Sequence, residues 1–241
     1  MSLPTIVRPQ TEVFLISDPK KKVVVQAYTI GEEKLLVLAK EMNNVKNVFE
    51  SILNIVERCI VKPKKLDVKT LPVFDVVKLF VTILGISKGT ITTLRYRCKD
   101  EKCKKIITKD VDLNDIQYGE IPPNPLIPIG GDIQLKLKYP SIMDGITLSE
   151  NMENGMTETE ATLHFYAKLI DKIYQGEEVT KTDNISEEEL FEWFLNLQES
   201  VLEKFKQFVE SMPEMKLVVD VECSCGKKAQ FVYTDLIDFF Q

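Results

Sequence analysis

Hydrophobic and polar positions alternate over residues 11–16 and again over 22–28, a period of two that predicts a pair of strands. Ser17-Asp18-Pro19-Lys20 between them is turn chemistry, so the segment reads as a β-hairpin. The period then lengthens. Behind Gly31-Glu32-Glu33, the apolar residues Leu35, Leu36, Leu38, Ala39 and Met42 form one broad helical face. Val48, Phe49, Ile52, Ile55, Val56 and Cys59 line a second predicted helix over residues 45–59, ended by Pro63. A third is expected over 74–84, stopping near Gly85.

Alternation returns over residues 90–98, rich in Thr and Ile, and a second strand is expected over 103–113. Lys99-Asp100-Glu101-Lys102 forms the turn between them. Residues 119–131 hold four prolines and three glycines, the composition of a connector. A strand over 132–139 follows. The next periodic stretch, 159–174, reads as a helix with Ala161, Leu163, Phe165, Tyr166, Leu169, Ile170 and Ile173 on its apolar positions, followed by a polar loop over 175–184. Ser186 and Glu189 have the spacing of a capping box at the start of a helix that runs to about Met212. Two strands over 216–222 and 229–233 flank Cys223-Ser224-Cys225-Gly226 in a final hairpin.

These elements predict an α+β fold: an N-terminal hairpin with helices, a zinc-ribbon-like pair of hairpins, and a C-terminal helical region. Three segments are expected, 1–118, 119–158 and 159–241, closed into one unit by a metal.

Composition narrows the function. Of 241 residues, 44% are hydrophobic and 28% charged, the balance of a globular protein that can bury a substantial core. The net charge of −6 argues against a dedicated nucleic-acid binder, which presents a basic face. No apolar run reaches the roughly 20 residues of a membrane span, and the N-terminus lacks the pattern of a signal peptide. A cytosolic protein is therefore expected, in which close cysteine pairs read as metal ligands before disulfides.

Cys98 and Cys103 bracket one strand-to-strand turn, and Cys223 and Cys225 sit at another. Two hairpin tips would supply four thiolates, the tetrahedral set of a closed structural zinc site. Gly226 suits a knuckle whose backbone N–H groups point at sulfur. The single residue between Cys223 and Cys225 is tighter than the usual two or more. Two free thiol pairs or a disulfide are the alternatives. Lys99, Lys102, Lys104, Lys105, Lys227 and Lys228 surround the pairs. They read equally as a solvated turn surface and as charges that offset four thiolates around a dication. Cys59, on an apolar helix face, reads as a core residue.

Signals for catalysis fail. His164 is the single histidine and has no nucleophile motif beside it. Phosphate-binding loops, dinucleotide fingerprints and HExxH are missing. The acidic runs Glu158/Glu160 and Glu187-Glu188-Glu189 fit helix N-terminal turns. A closed zinc site has no open position for water, so no enzyme activity is expected.

The order of the pieces carries a resemblance. The N-terminal hairpin is followed by Glu32-Glu33-Lys34-Leu-Leu-Val-Leu-Ala39-Lys40, the Phe74 helix with Gly85-Ile-Ser-Lys-Gly89, Tyr96-Arg-Cys98, Val111-Asp-Leu113 and Leu137-Lys-Tyr139-Pro140. A Phe-rich helix, Met212-Pro213, the Cys223/Cys225 knuckle and Phe239-Phe240 close the chain. This order resembles the baseplate hub protein family of T4-type contractile-tailed bacteriophages. The resemblance implies a structural or assembly role, hub proteins as partners, and a location in the host cytoplasm during assembly, with the virion tail baseplate as the location of a subunit that stays; an assembly factor that leaves is the alternative. Leu236, Phe239 and Phe240 are candidate partner contacts, as is the Pro-rich stretch 121–128; adjacent aromatics make favoured anchors. The alternative is that these aromatics fold onto their own core. A different function class, a zinc-ribbon adaptor for nucleic acid or a host partner, rests on the lysines around the knuckles.

Overall fold

A computed structural model describes residues 4, 6–41, 45–123 and 126–234. In chain order, β1 (Gln10–Phe14), β2 (Lys22–Gln26), α1 (Ile30–Glu41), α2 (Val45–Cys59), β3 (Ile60–Lys62) and α3 (Val73–Lys88) come first. They are followed by β4 (Ile91–Arg97), β5 (Ile106–Asp112), β6 (Gln117–Tyr118), β7 (Ile127–Gly130), β8 (Ile133–Leu137), α4 (Ile142–Glu153) and α5 (Glu158–Lys168). The last elements are β9 (Ile170–Gln175), β10 (Glu178–Lys181), α6 (Glu187–Leu195), α7 (Glu199–Glu210), β11 (Met215–Glu222) and β12 (Lys228–Tyr233). The class is α+β, and the chain divides into two compact units.

The first unit joins residues 1–68, 74–119 and 213–241. Its N-terminal sheet has the order β1-β2-β3, with Val13 opposite Val23. Val13, Val23 and Val25 point to the core, as the alternation requires. Helix α2 buries Ile52, Ile55, Val56 and Cys59, one continuous stripe at helical spacing. Helix α3 buries Val76, Leu79, Phe80 and Ile83. Each such side chain contributes about 1.5–3 kcal/mol of apolar burial. Thr29 and Glu32 cap α1 reciprocally: Thr29 N–H donates to Glu32 Oε2 at 2.6 Å, and Glu32 N–H donates to Thr29 Oγ1 at 3.4 Å. Two further β structures complete the unit. One is the β4–β5 hairpin, in register from Ile91 opposite Asp112 to Arg97 opposite Ile106. The other is a sheet of order β12-β11-β6.

The second unit comprises residues 69–73 and 120–212. An antiparallel sheet of order β10-β9-β8-β7 carries Leu135, Leu137 and Ile170 into a core shared with Ala167, Leu190, Phe194, Val201, Phe205 and Phe208. Ring packing continues the core, with Phe194 and Phe205 at 5.4 Å and Tyr139 stacked on Phe208 at 5.2 Å. Two full capping boxes start helices here, Ser141 with Asp144 at α4 and Thr157 with Glu160 at α5.

Several expectations need correction. The helix expected over 159–174 ends at Lys168, and Ile170–Gln175 is strand β9. Leu169 and Ile170 are fully buried either way; the partner β8 takes up the backbone groups of residues 170–175. The C-terminal half is accordingly a sheet covered by helices. The polar loop contains β10, and the Pro/Gly connector contains β7, which pairs with β8 across Gly130 and Gly131. The long C-terminal helix is two helices: Asn196 Nδ2 donates to Glu192 O at 2.8 Å and helps close α6 before α7 begins. Ser186 accepts from Glu189 N–H at 3.2 Å, the serine half of the expected box. Helix α3 passes through Gly85 and ends before Gly89, whose φ of +96° suits glycine.

Candidate metal centre

Both hairpin tips are shaped by their own backbones. At the first, Cys98 N–H donates to Lys105 O at 2.8 Å. Asp100 Oδ1 accepts the N–H groups of Lys102 and Cys103, each at 3.0 Å. Lys104 takes a φ of +49° to complete the return. At the second, Cys223 N–H donates to Lys227 O at 2.9 Å and Gly226 N–H to Cys223 O at 2.8 Å. Gly226 has a φ of +86°, a conformation that glycine adopts without steric cost. The β4–β5 hairpin meets the β11–β12 hairpin through aromatic rings, with Tyr96 and Phe231 centred 4.6 Å apart.

This docking brings the four cysteines to one point. The Sγ atoms of Cys98, Cys103, Cys223 and Cys225 all lie within 4.8 Å of one another. Cys98 and Cys225 are 3.7 Å apart, and so are Cys103 and Cys223. Both contacts run between hairpins, across 127 and 120 residues of chain. Four sulfurs about 2.3 Å from a common centre define a tetrahedron with edges of about 3.8 Å, so this donor set fits a tetrahedral thiolate-bound cation. All five cysteines of the chain are free thiols. Cys98 and Cys223 are buried, Cys103 is half-buried and Cys225 is exposed.

Cys98, Cys103 and Cys223 do not titrate alike. The backbone N–H of Cys225, foremost, and the neighbouring thiols bring Cys223 down to about 7 against the effect of burial. Asp100's backbone pulls Cys98 downward, but burial and the sulfurs of Cys223, Cys225 and Cys103 outweigh it and push Cys98 up to about 12. Cys103 is likewise raised: Lys105's backbone lowers it, and burial with Cys223 and Cys225 overcomes that. Without a cation, such a cluster ionises stepwise, since neighbouring thiolates repel one another. A bound dication would take the place of the remaining protons.

All six lysines around the tips are exposed. Three also have defined contacts: Lys105 Nζ reaches Ser224 Oγ at 3.3 Å across the hairpins, Lys99 Nζ lies 4.8 Å from the Phe231 ring centre, and Lys228 pairs with Glu222 at 3.6 Å. Asp100 was not singled out from the sequence; an acid directly following Cys98-Lys99 in a turn is the signal that marks it.

Elsewhere the structure offers no convergence of reactive groups among the described residues. His164 stacks on Phe191 with ring centres 3.5 Å apart. Cys59 is fully buried, and burial, aided by Glu32 and opposed by Arg8, pushes its thiol up to about 12. Pro122, Pro123, Leu126, Ile127, Pro128 and Phe208 line an apolar groove of about 500 Å³ in the second unit. Leu236, Phe239 and Phe240 lie outside the described residues. No helix among the described residues is long and apolar enough to cross a membrane.

No curated protein and no solved structure matches the chain. A family model described as T4 bacteriophage base plate protein matches residues 9–241, which takes in both hairpin tips and all four clustered cysteines. By that match the chain belongs to the T4 bacteriophage base plate protein family.

Proposed function

We propose that this protein is a non-enzymatic component of the baseplate hub, either built into the hub or acting in its assembly, and that Cys98, Cys103, Cys223 and Cys225 hold one structural Zn²⁺. The observation that carries the reading is the convergence of four thiols from two hairpins with tetrahedral-edge spacing. A dication there supplies rigidity: it ties two turns that are distant in sequence and leaves no coordination position for a reacting water. The first unit then presents its surface as a fixed shape to other hub proteins. The Pro-rich stretch and the C-terminal Leu236, Phe239 and Phe240 are the segments assigned to those contacts. Assembly takes place in the host cytoplasm, and a subunit built into the hub ends in the virion tail baseplate.

Elemental analysis of protein purified without chelator tests the metal, with one zinc per chain expected and a large loss in Cys98→Ser. Co-purification with hub neighbours from infected cells tests the role. Removal of residues 236–241 should leave a folded, zinc-bound chain that no longer retains those neighbours. A zinc-free wild-type protein with all four thiols freely titratable would remove the metal from this reading.

A further inference from the structure

The four cysteines are unequal in a way that bears on how the site would open. Cys225 is the exposed member, whereas Cys98 and Cys223 are buried and Cys103 is half-buried. Cys225 stands between exposed Ser224 and exposed Gly226, with open space where a Gly226 Cβ would be. A small oxidant from solvent therefore meets the Cys225 sulfur first. The sulfur within 3.7 Å of it belongs to Cys98, on the other hairpin.

Resting on the zinc reading above, we propose that the site is a redox-sensitive clasp that a peroxide opens at Cys225, releasing the metal and leaving a Cys98–Cys225 disulfide in its place. The electron count closes with hydrogen peroxide as the two-electron oxidant. The Cys225 thiolate attacks one peroxide oxygen; the O–O bond breaks, hydroxide leaves, and Cys225 becomes a sulfenic acid. The Cys98 thiolate attacks that sulfenic sulfur; the S–O bond breaks, a second hydroxide leaves, and the S–S bond forms. Two thiolates are thereby lost as ligands. Cys103 and Cys223 alone make an incomplete site, and the cation departs. A disulfide needs its Cα atoms within about 7 Å and its Cβ atoms facing, which the 3.7 Å sulfur contact favours. The new bond still runs between the two hairpins, so oxidation exchanges a metal link for a covalent one.

The experiment uses the unmodified full-length chain. Its metal content is first measured, and the protein is then treated with less than one equivalent of hydrogen peroxide. Released zinc is followed with a chromogenic chelator, and disulfides are mapped by mass spectrometry after alkylation of the free thiols. The expected result is one zinc released per disulfide, with Cys98–Cys225 as the first linkage and Cys59 unmodified. Dithiothreitol with added zinc restores the starting state. A first linkage between Cys223 and Cys225 or between Cys103 and Cys223, zinc retained after the disulfide forms, or oxidation to sulfinic acid without any disulfide would overturn the clasp. Protein that holds no zinc before peroxide is added would instead overturn the metal reading itself, and the clasp with it.

Discussion

Asp75, fully buried at the start of α3, accepts two hydrogen bonds from Ser17, one from its backbone N–H at 3.2 Å and one from its hydroxyl. The same carboxylate accepts Ile16 N–H at 2.5 Å. A carboxyl group 58 residues downstream thus fixes the turn between β1 and β2. Bonds to a charged acceptor are worth about 1.5–3 kcal/mol each, and the amides it serves would otherwise be left without a partner. Asp75→Ala should therefore destabilise the protein by about 3 kcal/mol or more, read as a lower urea midpoint with an unchanged slope. Asp75→Asn keeps an amide oxygen for the two backbone N–H groups and can donate its NH2 to the Ser17 hydroxyl, so it should lose clearly less than Asp75→Ala. A midpoint within error of wild type for both variants would show that water replaces the carboxylate at little cost.

Metal removal should weaken the protein reversibly. If the dication ties the two hairpins, prolonged dialysis against a strong chelator lowers the thermal midpoint, and zinc restores it where magnesium does not, because hard cations avoid thiolates. The near-ultraviolet aromatic signal should change with it, since the tilted ring contact between Tyr96 and Phe231 joins the same two hairpins. Equal midpoints with and without chelator would deny the cation any part in stability.

Cys59 governs part of the alkaline behaviour. Its thiol rises from the ordinary 9.0 to about 12, first through burial. Burial also raises Tyr28 nearby. A group whose folded pKa lies above its unfolded one adds stability that is complete below the unfolded value and is lost as pH climbs to the folded value. The loss therefore falls between about 9 and about 12, and none is expected near neutrality. Cys59→Ala should remove part of the decline in denaturant midpoint across that window. In the native wild type, Cys59 should resist iodoacetamide at pH 7.5. Rapid alkylation there, or an unaltered alkaline slope in the variant, would contradict this account.

Phe205 is the packing centre of the second unit. It is fully buried, with Phe194 at 5.4 Å and Tyr166 at 6.0 Å between ring centres. Truncating such a ring costs about 3–5 kcal/mol through lost transfer energy and the cavity left behind. Phe205→Ala should show that loss in equilibrium unfolding while zinc content stays at the wild-type level, because all four cysteines belong to the other unit. Phe205→Leu should cost much less.

Strong, uninterrupted patterns were legible in the amino acids. Residues 45–59 form the expected helix with unchanged limits, because one apolar stripe repeats over four turns and Pro63 follows. The cysteine pairs were legible because turn chemistry surrounds each of them. Residues 169–173 were not: Leu169, Ile170 and Ile173 fall at helical spacing, and the strand that forms there does not alternate. What decides for the strand is the hydrogen-bonding edge of β8, supplied from more than thirty residues away. Helix α4 escaped notice because it buries only Ile142 and Ile146 among the core residues, and its signal was the Ser141-x-x-Asp144 box. The break between α6 and α7 contains neither proline nor glycine, so composition did not announce it.

The first unit is assembled from three stretches of chain, with residues 120–212 lying between its second and third. A ribosome delivers Cys98 and Cys103 early and Cys223 and Cys225 near the end of synthesis. During translation the nascent polypeptide holds half of the cysteine cluster while the inserted segment is already complete. A message cut short before residue 223 would yield a product with a finished insert and an unclosed frame, lacking half of any site built from the four thiols. The separation of the thiols along the chain would thus make ion capture a late checkpoint on full-length synthesis.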